Sequence, residues 1–171
     1  MNMYTKFENL NLDTSCIGLD RSCLDNDDIK YFCTPVGARI IGWEGCDGIH
    51  YCFIEKFKDM VFAVNPMSGC DYYVYPLAEN FTDFLCLILA VHGAATIEQI
   101  ILWNKATFER IIRSESHQAH ASYLEVQEVL EVLHNEFHLA PMEEPFEYVK
   151  KIQSSFDYSK IPFSEEYYDI M

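Results

Sequence analysis

The chain lacks the glycine-rich signatures that hold phosphates or activate nucleophiles. It contains no GxGxxG pattern, no GxxxxGK followed by Ser or Thr, and no GxSxG, and its seven glycines occur singly. Such patterns matter because their glycines let backbone N–H groups approach a phosphate or present a strained nucleophile. Nucleotide binding through such a loop and serine-hydrolase chemistry are therefore not predicted, and no catalytic residue is nominated.

Paired cysteines are also missing. The seven cysteines are scattered and no two form a CxxC pair, so the framework of a closed zinc site is absent. The first residues, Met1–Leu10, have no apolar run of the kind that marks a secretion signal. An odd, scattered set of cysteines without such a signal favours reduced thiols. We therefore expect a cytoplasmic protein that uses no cofactor.

Positive charge is scarce. Twelve Lys and Arg residues face 27 Asp and Glu residues, which gives a formal net charge of −15. Phosphates would be repelled by such a chain, so nucleic acid and an anionic membrane are not expected as direct partners. Many acidic proteins are simply soluble, but this charge would also speed the encounter with a basic protein.

What is present begins with a series of short apolar segments separated by turn residues. Strands are predicted at Ala38–Trp43, Ile49–Glu55, Val61–Val64 and Tyr72–Tyr75, and Asp47-Gly48 is a strong hairpin signal. Close spacing of consecutive strands indicates an antiparallel meander. Because alternation along the strands is poor, both faces of the sheet are expected to be partly covered, one of them by helices. Pro76 should end the last strand or place it at an edge.

A helix that is apolar on almost every side follows, from Phe81 to His92. Asn80 is suited to cap its start and Gly93 its end. A helix that is apolar all round is normally buried, and this one is too short for a membrane span, which needs about 20 residues. We therefore expect the rest of the chain to pack on it.

The remaining sequence is mostly helical. The longest predicted helix starts at Ser114 or Ser116 and runs to about Leu139, and a last helix starts at Pro145. Strands followed by helices predict an α+β fold, with a meander of about four or more strands packed against several helices. We expect one domain over residues 1–171: an acidic N-terminal segment (1–30), the sheet and central helix (31–92), a helical region (93–158) and an extended acidic tail (159–171).

Trp43 is the most suggestive candidate for contact with a partner. It lies beside Glu44 and Asp47 at the predicted hairpin end, and an aromatic ring rimmed by carboxylates suits a basic protein surface. Further acidic candidates are Asp25, Asp27 and Asp28 in the N-terminal segment. A solvated acidic face is the alternative for this segment.

A metal site is the main competing hypothesis. His134 and His138 are four residues apart on a predicted helix, so their rings would share one face. The protease motif needs glutamate directly after the first histidine, and here that position is Asn135. No third ligand is nominated, and solvated histidines are the commoner outcome. A small metal-binding protein or enzyme using this pair therefore stays open, as does a regulatory or scaffold role.

A family resemblance is carried by Ile41-Gly42-Trp43, Asp47–Ile54, Val61–Val64 and Tyr75–Leu85. A glycine-marked hairpin, a strand and a helix entry with two phenylalanines occur in this order, and the order resembles the SUKH superfamily of cell-wall-synthesis regulators and bacterial immunity proteins. The resemblance covers roughly residues 38–92. It implies a non-enzymatic α+β domain, and an immunity protein that binds a cognate toxin, often a nuclease. Because a nuclease site is electropositive, an inhibitor of charge −15 suits it independently.

Overall fold

The computed structural model describes residues 2–24 and 30–170, and its fold is α+β as predicted. Four antiparallel strands form one sheet in the order β1-β2-β3-β4, a simple meander. Their bounds are β1 Ala38–Trp43, β2 His50–Ile54, β3 Val61–Val64 and β4 Val74–Ala78. The fourth strand starts later than predicted and runs through Pro76, which pairs with Phe62. Since β4 lies at the sheet edge, the missing proline N–H is tolerated there.

The turn between β1 and β2 has the predicted geometry. Asp47 and Gly48 both have positive φ, at 53° and 72°, as the centre of a type I′ turn requires. The Ile49 N–H closes the turn on the Cys46 carbonyl oxygen at 3.2 Å. The Asp-Gly signal therefore sets the register of the first hairpin.

The outer edge of β1 is partly covered by an earlier segment. Asp20 pairs with Trp43, and both of their backbone N–H groups donate to the other residue's carbonyl. Gly42 makes this approach possible, because a Cβ there would lie 2.4 Å from Cδ1 of the buried Leu19. The pairing register shifts between Ile40 and Gly42, as expected at a bulge beside a close backbone approach.

Helix α2, Phe81–Val91, is the buried element predicted at the centre of the fold. Asn80 caps it by accepting a hydrogen bond from the Asp83 N–H at 2.9 Å. The end of the helix differs from the prediction: His92, with φ 62°, is the C-terminal cap, while Gly93 is the N-cap of the next helix. The buried side chains of α2 are Phe81, Phe84, Leu85, Leu87, Ile88, Leu89 and Val91.

Both faces of the sheet are covered, as the poor alternation predicted. One face supplies Tyr51, Ala63 and Tyr75 to the main core that contains α2. The other face supplies Cys52, Phe62 and other side chains to a second, smaller cluster that is completed by Cys33 and Ile161. The C-terminal segment, rather than a long helix, therefore closes the second face.

The remaining helices surround this centre. They are α1 Met3–Glu8, α3 Ala94–Glu98, α4 Lys105–Ile112, α5 Glu115–Ala121, α6 Leu124–Phe137, α7 Pro145–Ser155 and α8 Glu165–Ile170, with 3-10 turns at Ser15–Ile17, Glu55–Phe57, Gln99–Leu102 and Tyr158–Lys160. The long helix predicted from Ser114 or Ser116 is two helices, α5 and α6, which are divided at Ser122 and Tyr123. The predicted extended tail is wrong as well, since it contains α8 and packs on the sheet through Tyr167.

Within the described residues, no single helix has both the length and the apolar character needed to cross a membrane. Phe81–Val91 and Ala94–Leu102 meet that test only when taken together, and they are bent by 104° relative to each other.

Candidate functional site

A groove of about 830 Å³ lies between α6 and the segment that leads into the first 3-10 turn. We call it the acidic groove. Its carboxylates are Asp13, Glu125, Glu128, Glu131 and Glu136, and its apolar lining is Leu12, Cys16, Val129 and Val132. Ser15 and Asn135 complete the lining. An apolar floor between rows of carboxylates is suited to a side chain that carries both an aliphatic stem and a positive charge.

The groove exists because α6 is amphipathic. Val126, Leu130 and Leu133 are buried on its inner side, so the glutamates of the same helix remain in solvent. The opposite wall is held close by the Cys16 thiol, which lies 3.6 Å from the Glu125 carbonyl oxygen. Asp13 begins this wall and accepts a hydrogen bond from the Ser15 N–H at 2.9 Å.

The groove carboxylates have no cationic partner within the described part of the chain. The ion pairs there are Arg39–Glu8, Lys105–Glu147, Arg113–Glu109 and Lys160–Asp157, and none includes a groove residue. No ion pair among the described residues therefore compensates the negative charge of the groove. Such a surface attracts a cationic partner over roughly a Debye length, about 8 Å at physiological salt.

Cys16 is unsuited to nucleophilic chemistry in this groove. Burial raises the pKa of its thiol, and the nearby charges of Glu125 and Asp13 raise it further. Because the thiolate is the reactive form, this environment disfavours nucleophilic reactivity of the sulfur. Cys16 acts as part of the apolar floor.

Two large apolar side chains stand exposed where α6 begins. Tyr123 is 54% exposed and Leu124 is 74% exposed, and they directly precede Glu125, which lines the acidic groove. Exposed aromatic and aliphatic anchors beside a charged rim are typical of protein interfaces.

The acidic groove was not predicted from the sequence, although one sequence pattern indicates one of its walls. Glu125, Glu128 and Glu131 recur every three residues and so line one face of a helix. The other wall comes from residues 12–16, more than a hundred positions earlier, and no local pattern predicts that the two meet.

The predicted contact residues at the hairpin end do not form one exposed patch. Trp43 is half-buried, with its ring centroid 4.7 Å from that of His50 and 6.3 Å from that of Tyr31. Glu44 turns inward, whereas Asp47 is exposed at the turn. The other predicted contact residues, Asp25, Asp27 and Asp28, lie outside the residues that the structure describes.

The two histidines proposed as metal ligands do not share a helix face. Helix α6 ends at Phe137, so His138 is its C-terminal cap with φ 54°, and the premise of the pair is wrong. His134 Nδ1 is occupied by the Leu139 carbonyl oxygen at 2.6 Å. Across residues 2–24 and 30–170, no group of three or more His, Cys, Asp or Glu side chains is arranged to hold a metal ion.

Comparison with protein-family models, with curated proteins and with solved structures finds no match to this chain.

Proposed function

We propose that this protein is a non-enzymatic binding domain whose acidic groove holds a lysine- or arginine-bearing segment of another protein. The observation that carries the proposal is the groove itself: five carboxylates over an apolar floor, with no ion-pair partner among the described residues.

Charge favours a protein over nucleic acid as the occupant. Phosphates would meet Asp13, Glu125, Glu128, Glu131 and Glu136 without a compensating cation, and the whole chain carries −15. A basic protein segment gains instead, because its long side chains can lie along the half-buried Leu12 and Val132 while their charged ends reach the carboxylates.

Most of the binding affinity would come from the exposed apolar side chains at the start of α6 rather than from the carboxylates of the groove. Exposed charge pairs contribute little each, typically below about 1 kcal/mol. Tyr123 and Leu124 offer apolar area that a partner can bury, and such residues commonly dominate binding. The carboxylates then steer the partner and set its orientation.

The immunity role implied by the SUKH resemblance is a specific form of this proposal. A toxin that handles nucleic acid presents a basic surface, and an acidic domain that covers this surface blocks it by occlusion. The resemblance rests on the sheet and α2, whereas the acidic groove lies on α6 and residues 12–16. The groove therefore supports binding of a cationic protein without depending on the family.

Site-specific cross-linking tests the proposal. Asn135, which is exposed and lines the groove, is replaced by the photoreactive p-benzoylphenylalanine, and Ser154, exposed on α7, receives the same residue as a matched control. Irradiation in the native host should join position 135, and not position 154, to a Lys- and Arg-rich segment of one protein. Equal adducts at both positions, or adducts to acidic segments, would contradict it.

A further inference from the structure

A buried carboxylate lies where α3 meets the sheet. Glu98 is completely buried, and its Oε1 accepts hydrogen bonds from the Asn65 side-chain amide at 2.8 Å and from the Tyr75 hydroxyl. Its Oε2 accepts from the Gln99 side-chain amide. An ionised carboxylate accepts and does not donate, so three donors directed at one group suit the charged form.

A second carboxyl group approaches from the end of β1. The Glu44 backbone N–H donates to the Ile49 carbonyl oxygen at 2.9 Å, which fixes the residue at the mouth of the hairpin turn. Its side chain points inward: a Cβ at Gly18 would lie 3.8 Å from Glu44 Cγ and 3.4 Å from the Ala95 nitrogen. The Oε2 atom of Glu44 is buried and has no hydrogen-bond partner.

Among the described residues, no positive charge contributes to the electrostatic environment of this second carboxyl group. The charges that act on Glu44 are those of Glu98 and Asp47, and Glu44 in turn acts electrostatically on the Cys46 thiol and the Tyr51 hydroxyl. Tyr51 is fully buried and its hydroxyl is unpaired too. Two carboxylates here would repel each other without a cation to screen them.

Tyr75 is the remaining titratable group here, since its hydroxyl donates to Glu98 and it acts electrostatically on Tyr51. Burial, then Glu98, then Asp47 raise the pKa of Glu44 from 4.5 to about 7. Burial first, then Glu44 and Glu98, raise the pKa of Tyr51. Both shifts agree with the geometry: a proton on Glu44 removes the second buried charge.

We propose that Glu44 is a proton-operated latch that fastens the hairpin turn at residues 44–48 against Glu98 and helix α3. With a proton bound, Glu44 is neutral and its oxygen can remain buried beside Glu98. When the proton leaves, repulsion between the two carboxylates and the cost of burying a second charge drive Glu44 toward solvent. The turn, with its exposed Asp47, moves with it.

Solution NMR tests the latch on the full chain. A carbon-detected titration of the Glu44 carboxyl should give a midpoint near 7, well above the usual 4.5. Protection of the Glu44 amide against exchange, corrected for intrinsic base catalysis, should fall by up to about tenfold per pH unit between 4.5 and that midpoint, because opening releases one proton in this range, and should level off above it.

Variants distinguish the proposed release of Glu44 from a general loss of structure in the hairpin turn. Glu44→Gln should keep its amide protection across the range, and Glu55→Gln, exposed at the opposite end of the hairpin, should behave as wild type. Asp47→Asn should lower the Glu44 midpoint without removing it. A Glu44 midpoint in the ordinary range, or equal loss of protection in Glu44→Gln, would overturn the proposal. A midpoint that moves with CaCl₂ at constant ionic strength would overturn it as well, by assigning the site to a metal ion.

Discussion

The side-chain amide of Asn65 donates a 2.8 Å hydrogen bond to Glu98, and both residues are buried. Asn65 directly follows β3 and Glu98 ends α3, so this bond joins the sheet to the helical half of the chain. Asn65 is itself fixed, because its Oδ1 accepts from the Met67 N–H at 2.9 Å.

Glu98→Gln is expected to destabilise the protein. The new amide nitrogen would face donors from Asn65, Tyr75 or Gln99, and leaving one buried donor unpaired costs about 1–3 kcal/mol. Urea unfolding at pH 7 measures the loss, with Glu115→Gln on the exposed surface of α5 as the matched control. A Glu98→Gln protein as stable as the control would show that the buried carboxylate is dispensable.

Glu44→Gln should flatten the dependence of stability on pH. The folded pKa of Glu44 is about 7 and its ordinary value is 4.5, so between these values the folded chain holds a proton that the unfolded chain has released. The linked stabilisation is complete below 4.5 and is lost as pH rises through about 7.

Thermal unfolding tests the predicted direction of this pH dependence. Relative to wild type, Glu44→Gln should gain stability at about pH 8 and change little at about pH 5, because glutamine stays neutral throughout. Asp47→Asn, at the exposed end of the same turn, should give a smaller change in the same direction. If Glu44→Gln loses more stability at high pH than at low pH, the predicted direction is wrong.

Gly42→Ala should destabilise the hairpin. The added Cβ would lie 2.4 Å from Leu19 Cδ1, and Leu19 is completely buried and cannot swing aside. Overpacking of this kind costs about 1–3 kcal/mol. Gly69→Ala is the control, since its nearest contact would be 3.8 Å and its φ is not positive. Equal midpoints for the two variants in urea would refute the close packing of residues 19 and 42.

His138→Gly should stabilise α6. His138 has φ 54° as the helix cap, a conformation that costs a residue with a Cβ roughly 1 kcal/mol and costs glycine little. His138→Ala keeps the Cβ and serves as the control. The prediction fails if alanine and glycine at this position give the same midpoint of thermal unfolding.

Local signals explain which parts of the fold were predictable. Asp47-Gly48 sets the hairpin through its positive φ values, and the unbroken apolar surface of Phe81–Val91 is typical of a buried helix. The predicted helix ends were wrong where several residues could serve as the boundary of a helix. The left-handed residue that ends α2 is His92 and not Gly93. Between Ser114 and Leu139 no proline marks the break between helices at Ser122.

Long-range contacts explain what was missed. The acidic groove joins residues 12–16 to α6, and the electrostatic interaction of Glu44 with Glu98 joins the turn between β1 and β2 to α3, which follows β4 and α2. Sequence periodicity reports which face of a helix is polar, but it does not report which distant segment lies opposite. The packing of Trp43 was unpredictable for the same reason, since its partner Tyr31 comes from outside the hairpin.

Charge reversal in the acidic groove tests the central claim most directly. Glu128→Lys with Glu131→Lys alters the groove, whereas Glu165→Lys with Glu166→Lys makes the same change in net charge on exposed α8. Binding of the segment recovered by cross-linking is then measured for both variants at two salt concentrations. We predict that the groove variant loses at least about tenfold in affinity while the α8 variant stays close to wild type. Equal losses in both variants would mean that the groove has no special role.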